Sequence, residues 1–384
     1  MNDYKILRIL QVVPNMHAAG LETLIMNIYR NIDHTKVQFD FLVHYQEDFF
    51  YDEEIRLIGG EIYKLSFRND GNIFKYIKDL DHFFSLHKYD VVHGHMASTA
   101  CFYLGIAKKY GIPVRIIHSH NTSTERTLKG FIKHKLLKYS TLFANQYFAC
   151  AEKAGKYLYG KHDFTIIHNA INLDVFTPNS QLRTTMRLNM DLDDKFIVGH
   201  IGRFNTQKNH KFMINIFAKL LKIVPKSVLV LVGEGELESN IIQQIAELGI
   251  QDNVKLLGVR KDINAIYNML DVFILPSLFE GLPVVGIESQ ATGTLTLMSD
   301  KISREVQVSQ LVEFLPIDTS NAQEKWVKKL VEIANSSKII AANELKRQLQ
   351  RNGYDINKEA EKLIELYKTL IKSKKYDREI NNKK

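Results

Sequence analysis

The chain has 384 residues, 45% of them hydrophobic, enough for two ordinary domains with cores of their own. A net charge of +8 with pI ≈ 9.1 admits anionic partners such as nucleotides or membrane surfaces and selects none of them. No apolar run reaches the ~18 residues of a membrane-spanning helix, no secretory signal is visible, and two cysteines, Cys101 and Cys150, cannot make a metal site alone. A reducing cytoplasm is the simplest setting.

Short apolar runs alternate with longer amphipathic ones from end to end, the α/β pattern of parallel sheets. Strands are expected at Ile6–Val13, Val37–His44, Glu61–Leu65, Asp90–His95, Val114–His118, Gln146–Ala149 and Thr165–Ile167. Helices lie between them, for example Leu21–Arg30 and Ile73–Leu86. The polar stretch Asn172–Asp194, which holds Pro178, reads as a linker and the approach to a new domain. A second strand series follows at Phe196–Gly202, Ser227–Val232, Val254–Leu257, Asp271–Leu275, Leu295–Met298 and Glu313–Leu315. A last helix, Asn357–Ser373, precedes a solvated basic tail. The expected domains are thus residues 1–178 and 179–356, with helix 357–373 packing back on the first and a basic tail at 374–384. Two doubly wound, Rossmann-like halves would face one another across a cleft, with ligands at the carboxyl ends of the strands.

The densest chemistry lies in Asp271-Val-Phe-Ile-Leu-Pro-Ser-Leu-Phe-Glu280-Gly-Leu-Pro-Val-Val-Gly-Ile-Glu288. A buried strand, a tight turn and a helix opening at Pro283 would place the amides of Gly281, Leu282 and Val284 at a positive helix end. Glu280 in the turn and Glu288 on the helix bring two carboxylates toward one ligand. Either glutamate alone would be an ordinary capping charge; the pair at this spacing is much harder to dismiss. The stretch resembles the E-x7-E motif of the retaining nucleotide-sugar glycosyltransferases, family 4 in particular. The resemblance covers nearly the whole chain, strongly from Gly202 to Gly293 and more loosely in the first half, and it implies the two-Rossmann GT-B fold.

Further assignments follow from that resemblance. In Gly202-Arg203-Phe-Asn-Thr-Gln-Lys208, Arg203 and Lys208 would grip the donor diphosphate, whose charge grows as the glycosidic bond breaks. That grip implies no cofactor and no catalytic metal. Alone, the same loop would read as solvated surface charge. Gly233-Glu-Gly235 lacks a third glycine, and its glutamates would repel a pyrophosphate, so it reads as a tight turn near the nucleotide and not as an NAD site. The backbone at Val259 and the side chain of Arg260 would face the nucleobase. Ala19-Gly20-Leu21-Glu22 is similar to the family's Gly-Gly-x-Glu loop, with Ala19 in place of the first glycine; Gly20 would approach the sugar phosphate. His118 resembles the histidine that lines the sugar site, with His120 in reserve. His93 and His95 end another strand, and four histidines at two strand tips also raise zinc, though no carboxylate or cysteine spacing accompanies them. Ala151 and Ala170 are further departures from family positions.

The implied activity is retaining transfer of a hexose from a nucleoside-diphosphate sugar, UDP-sugar favoured, to a sugar hydroxyl in bacterial exopolysaccharide or capsule assembly. Arg203, Lys208, Glu280 and His118 would carry it, with Glu288 on the ribose. A nucleotide-sugar 2-epimerase and a non-catalytic partner subunit are the alternatives. Leu128–Tyr139, a basic amphipathic segment, suits equally a packed surface helix and peripheral contact with anionic lipid, where a lipid-linked acceptor would lie. Nothing points to nucleic acid.

Overall fold

Among the described residues all strands pair in parallel, and they fall into two sheets that share no strand. The computed structural model describes residues 6–65, 71–120, 136–137, 139–336 and 342–381. The chain forms two units, Met1–Asn169 with Ile356–Lys384, and Ala170–Asp355.

In the first unit the strands are β1 (Leu7–Val12), β2 (Val37–Val43), β3 (Ile62–Lys64), β4 (Val91–Gly94), β5 (Val114–Ser119), β6 (Gln146–Ala149) and β7 (Thr165–Ile166). Their order is β3-β2-β1-β4-β5-β6-β7. Sequence order reverses between β1 and β4, and a doubly wound sheet opens its ligand crevice at that point, beyond the carboxyl ends of the strands. The β1/β4 register sets Gln11 opposite His93 there. Strands covered on both faces need apolar residues throughout. β2, Val-Gln-Phe-Asp-Phe-Leu-Val, is buried along its whole length, and its Asp40 is offset by the Arg8 guanidinium and by the Glu61 N–H at 3.1 Å.

The second unit repeats the plan with β8 (Phe196–Ile201), β9 (Ser227–Val232), β10 (Val254–Leu256), β11 (Val272–Leu275), β12 (Leu295–Ser299) and β13 (Val312–Leu315), ordered β10-β9-β8-β11-β12-β13. Its reversal lies between β8 and β11. The core on one face joins Val198, Leu229, Leu231 and Ile274 to Met213, Phe217 and Leu220 of helix His210–Leu221 and to Trp326 of helix Ala322–Ala334.

Two expectations are corrected. The stretch expected to be a linker contains helix Ser180–Asn189, capped by the Asn179 side chain, which accepts from the Leu182 N–H at 2.8 Å. Arg183 and Arg187 hold the helix to Asp271 with N···O distances of 2.5 and 2.7 Å, so ion pairs replace the apolar stripe that would have revealed it. The last helix runs from Ile356 to Asn381, so the basic tail is helical through most of its length. Ala360, Leu363, Tyr367 and Ile371 bury one face of it against helix Gly20–Arg30 and β5, inside the first unit. No helix among the described residues is long and apolar enough to cross a membrane.

Candidate active site

At the β8/β11 reversal the chain leaves β8 through Gly202. A Cβ there would stand 3.0 Å from Lys208 Cε and 3.1 Å from His200 Nε2, so glycine is what lets Lys208 fold back over the strand end. Asn205 caps the short turn Thr206–Lys208, accepting from the Lys208 N–H at 3.2 Å. Asn209 then takes a left-handed conformation (φ 58°) and donates from its side chain to the Pro276 carbonyl at 3.1 Å. This loop and the one after β11 are joined along their length. Leu278 N–H donates to the Gln207 carbonyl at 2.9 Å, and the Gln207 amide donates to the Phe279 carbonyl at 2.9 Å.

The joint aims two side chains at each other. Lys208 Nζ lies 2.6 Å from Glu280 Oε1, with only 14% and 9% of the two side chains exposed. Glu280 also accepts from Ser277 Oγ at 2.8 Å and from Gln207 Nε2 at 3.1 Å. Beneath Lys208, His200 donates from Nδ1 to the Ile274 carbonyl at 2.9 Å, and burial keeps its imidazole far below its ordinary pKa. A neutral ring there adds no charge to the pair above it.

Three glycine-bearing turns are stitched side by side next to this pair. Phe204 N–H donates to the Glu234 carbonyl at 2.8 Å and Gly233 N–H to the Gly258 carbonyl at 2.9 Å. Gly233 has φ +135°, and a Cβ on it would sit 2.2 Å from the Gly202 carbonyl oxygen, so no other residue fits. The structure therefore groups Gly202, Arg203, Gly233, Val259 and Arg260 along the ends of β8, β9 and β10. Arg203 is exposed and only 3.6 Å from Glu236, while Arg260 is held by Asp262 at 2.8 and 2.7 Å.

Pro283 is the residue before the helix and not its first: its ψ of 115° is extended, and the helix spans Val284–Ala291. Gly281 and Leu282 approach that start. Glu288 does not join Glu280. It is buried on the helix, with Oε2 3.1 Å from the Tyr267 hydroxyl, which also lies 3.0 Å from the Val285 carbonyl. Burial pushes the Glu288 carboxyl up to about 7, against the smaller opposing pull of the Tyr267 hydrogen bond.

In the first unit, Ala19 precedes helix Gly20–Arg30 at φ −131°, ψ 167°, extended backbone in which its methyl costs no strain. A Cβ at Gly20 would meet open space, so the fold itself does not demand that glycine. At the β1/β4 reversal, alternation along β4 and β5 puts His93, His95, His118 and His120 on one face. His93 Nε2 lies 3.1 Å from His118 Nδ1, and His95 Nδ1 2.9 Å from His120 Nε2. His95 Nε2 reaches Gln11 Oε1 at 2.8 Å, and His93 Nδ1 reaches the Tyr367 hydroxyl at 2.6 Å. Burial first, and proximity to one another second, hold His93, His95 and His118 well below 6.5; burial alone takes His120 to about 3. Nitrogens of His93, His95 and His118 lie within 4.8 Å of one another. The nitrogens in the His93–His118 and His95–His120 pairs point at each other as hydrogen-bond partners, not at a common centre for an ion at ~2.0–2.1 Å. The arrangement is that of a hydrogen-bonded array.

Gln207, Ser277 and Tyr267 escaped sequence reading, as did Gln11 and Tyr367. Ser277, three residues before Glu280, carried a local signal; Tyr367, 274 residues from His93, carried none. The basic segment Leu128–Tyr139 lies outside the described residues apart from Leu136, Leu137 and Tyr139.

Comparison with known proteins bears on the fold and the family. Residues 18–175 match the family model "Glycosyltransferase Family 4", and residues 189–356 match "Glycosyl transferases group 1". EpsF of Bacillus subtilis (strain 168), which bears the name of a glycosyltransferase, is 31% identical over 370 residues, 94% of this chain and 96% of the relative. The UDP-Gal:alpha-D-GlcNAc-diphosphoundecaprenol alpha-1,3-galactosyltransferase of Escherichia coli is 25% identical over 316 residues, 78% of this chain and 81% of the relative. Anabaena Alr3699/HepE, solved with UDP and glucose, superposes with a TM-score of 0.76 at 17% identity, covering 94% of this chain and 100% of that one. The doubly wound pair of sheets is the GT-B fold, and the chain belongs to glycosyltransferase family 4.

Proposed function

We propose that the protein is a retaining hexosyltransferase that moves a sugar from a nucleoside diphosphate, UDP in the first instance, to a hydroxyl of a lipid-linked saccharide during surface polysaccharide assembly. The observation that carries this reading is the Lys208–Glu280 pair at the β8/β11 reversal, with Arg203 on the same loop as Lys208. The donor named for the Escherichia coli relative is UDP-Gal and its acceptor a diphosphoundecaprenol-linked sugar, which supports the choice of donor and of acceptor class. A lipid-linked acceptor implies work at the cytoplasmic face of a membrane.

Arg203, Lys208 and the amides around Gly281 and Leu282 meet the negative charge that develops on the departing diphosphate. Fixed cations of this kind take the part of a divalent metal. Glu280 leaves its resting place on Lys208 to accept from hydroxyls of the donor sugar, which frees the ammonium for phosphate. Glu288 takes the ribose hydroxyls, and His118 lines the sugar site. The bond from the anomeric carbon to the diphosphate breaks, the acceptor oxygen bonds to that carbon on the same face, and the acceptor proton passes to the leaving phosphate oxygen. No glutamate acts as nucleophile, unlike in retaining glycosidases.

The test is donor consumption, with UDP- and GDP-sugars supplied in the presence and absence of an undecaprenyl-diphosphate-linked saccharide. Nucleoside diphosphate release that depends on acceptor is the expected result. Conversion of donor without acceptor would indicate a 2-epimerase, and no consumption with any donor would indicate a non-catalytic subunit.

A further inference from the structure

The histidine array of the first unit has a direction. His93 and His118 are buried and His95 and His120 partly so, and each ring is held neutral, so each carries one proton to share between two nitrogens. Gln11 and Tyr367 fix where those protons go. Gln11 Oε1 faces His95 Nε2 at 2.8 Å, so His95 must be the Nε2–H tautomer, and its Nδ1 can only accept, from His120 Nε2–H. Among the described residues the Tyr367 hydroxyl is hydrogen-bonded to His93 Nδ1, at 2.6 Å, so its buried proton is satisfied by donation there. His93 therefore carries its proton on Nε2 and donates to His118 Nδ1 at 3.1 Å. Two runs result, His120 to His95 to Gln11 and Tyr367 to His93 to His118, every bond donated forward. The second ends on His118 Nε2, a buried nitrogen with no partner among the described residues.

We infer that Tyr367 is a positioning residue for the transfer: through His93 it holds His118 as the Nε2–H tautomer, a neutral donor to an oxygen of the transferred sugar. A buried polar nitrogen without a partner is uncommon enough in folded proteins to require an explanation, and a ligand oxygen supplies one. Neutrality matters, because an imidazolium would draw phosphate, whereas a neutral N–H reads a hydroxyl or ring oxygen. Reversing the Tyr367–His93 bond would move the protons of His93 and His118 to Nδ1, presenting the sugar with an acceptor. The inference gives the long C-terminal helix a task at the site, since Tyr367 belongs to Ile356–Asn381. It rests on the reading of His118 as a sugar-site residue.

The experiment is long-range 15N NMR of the ligand-free, histidine-labelled protein, with His93 and His118 assigned from His93→Gln and His118→Gln. His118 and His93 should show pyrrole-type Nε2 and pyridine-type Nδ1. In Tyr367→Phe, His93 loses its donor, and both rings should exchange between tautomers while kcat falls about ten-fold, the worth of one oriented hydrogen bond, and UDP affinity stays unchanged. Tyr367→Met, which likewise removes the donor, should give the same mixture if Tyr367→Phe proves too unstable to label. Pyridine-type Nε2 on wild-type His118, or tautomers unmoved by both substitutions, would overturn the inference. The tautomer is read without donor or acceptor, so this result stands apart from whether sugar is transferred.

Discussion

The Lys208 ammonium and the Glu280 carboxylate stand 2.6 Å apart, each side chain less than one-sixth exposed. The cation expected on phosphate and the carboxylate expected on sugar neutralise each other in the ligand-free protein. Their substitutions are therefore coupled. Lys208→Ala should slow transfer by roughly 10²-fold or more, and should also destabilise the fold by about 1.5–3 kcal/mol, because Glu280 is left without its cation. Glu280→Ala should cost a similar amount, and the double substitution less than the sum of the two. Thermal denaturation of the four proteins in the cycle measures this; additive losses would show the pair to be energetically idle.

Glu288 makes a prediction with a definite sign. Its carboxyl is raised from 4.5 to about 7 by burial. Folding therefore favours its protonated form, and the stability it contributes is complete below pH 4.5 and lost as pH rises toward 7. Glu288→Gln should match wild type in acid and be more stable at pH 8, by at most about 3 kcal/mol. The same substitution should weaken UDP binding, since an amide cannot serve two ribose hydroxyls as acceptor. Melting curves across pH 4.5–8 check the first half and calorimetry the second.

The four histidines of the first unit act in the opposite direction. Their folded pKa values lie below 6.5, so unfolding takes up protons in acid, and the stability they contribute above 6.5 is lost as pH falls. Melting temperature should drop steadily below pH 6.5, and less steeply in His120→Gln. An unchanged acid slope in that variant would remove His120 from the account.

Gly233→Ala forces a Cβ to within 2.2 Å of the Gly202 carbonyl at a φ of +135°. The turn must move, and the Gly202–Arg203 loop with it. A loss of about 1–3 kcal/mol is expected, together with weaker UDP binding, read by melting and by titration.

Chelation should leave activity intact, because Arg203, Lys208 and the helix-start amides do the work of a metal in this account. Activity abolished by EDTA and restored by Mn²⁺ or Zn²⁺ would require a different mechanism.

How much of this could be read from the chain depended on how each feature is encoded. The parallel sheets follow from runs such as Ser227–Val232, whose burial on both faces needs apolar residues at every position. Glu280, Glu288, Arg203 and Lys208 stood out because their spacing is local. Helix Ser180–Asn189 did not, because Arg183 and Arg187 anchor it through Asp271 and not through an apolar stripe. Folding alone reveals that Lys208 and Glu280 bond each other, across 72 residues of chain. The Tyr367–His93 link is likewise invisible in sequence, since it joins β4 to the last helix. The burial that raises Glu288 beside Tyr267 is a property of packing, and a glutamate in sequence carries no mark of it.

The central claim, that the loops at the β8/β11 reversal bind a nucleoside diphosphate through Arg203 and Lys208, is tested most directly by calorimetric titration of UDP into wild type and Arg203→Ala. The account predicts one UDP per chain, binding unchanged by EDTA, and at least a ten-fold loss of affinity in the variant. Equal affinity in the two proteins, or no binding of either UDP or GDP to wild type at millimolar concentration, would contradict it.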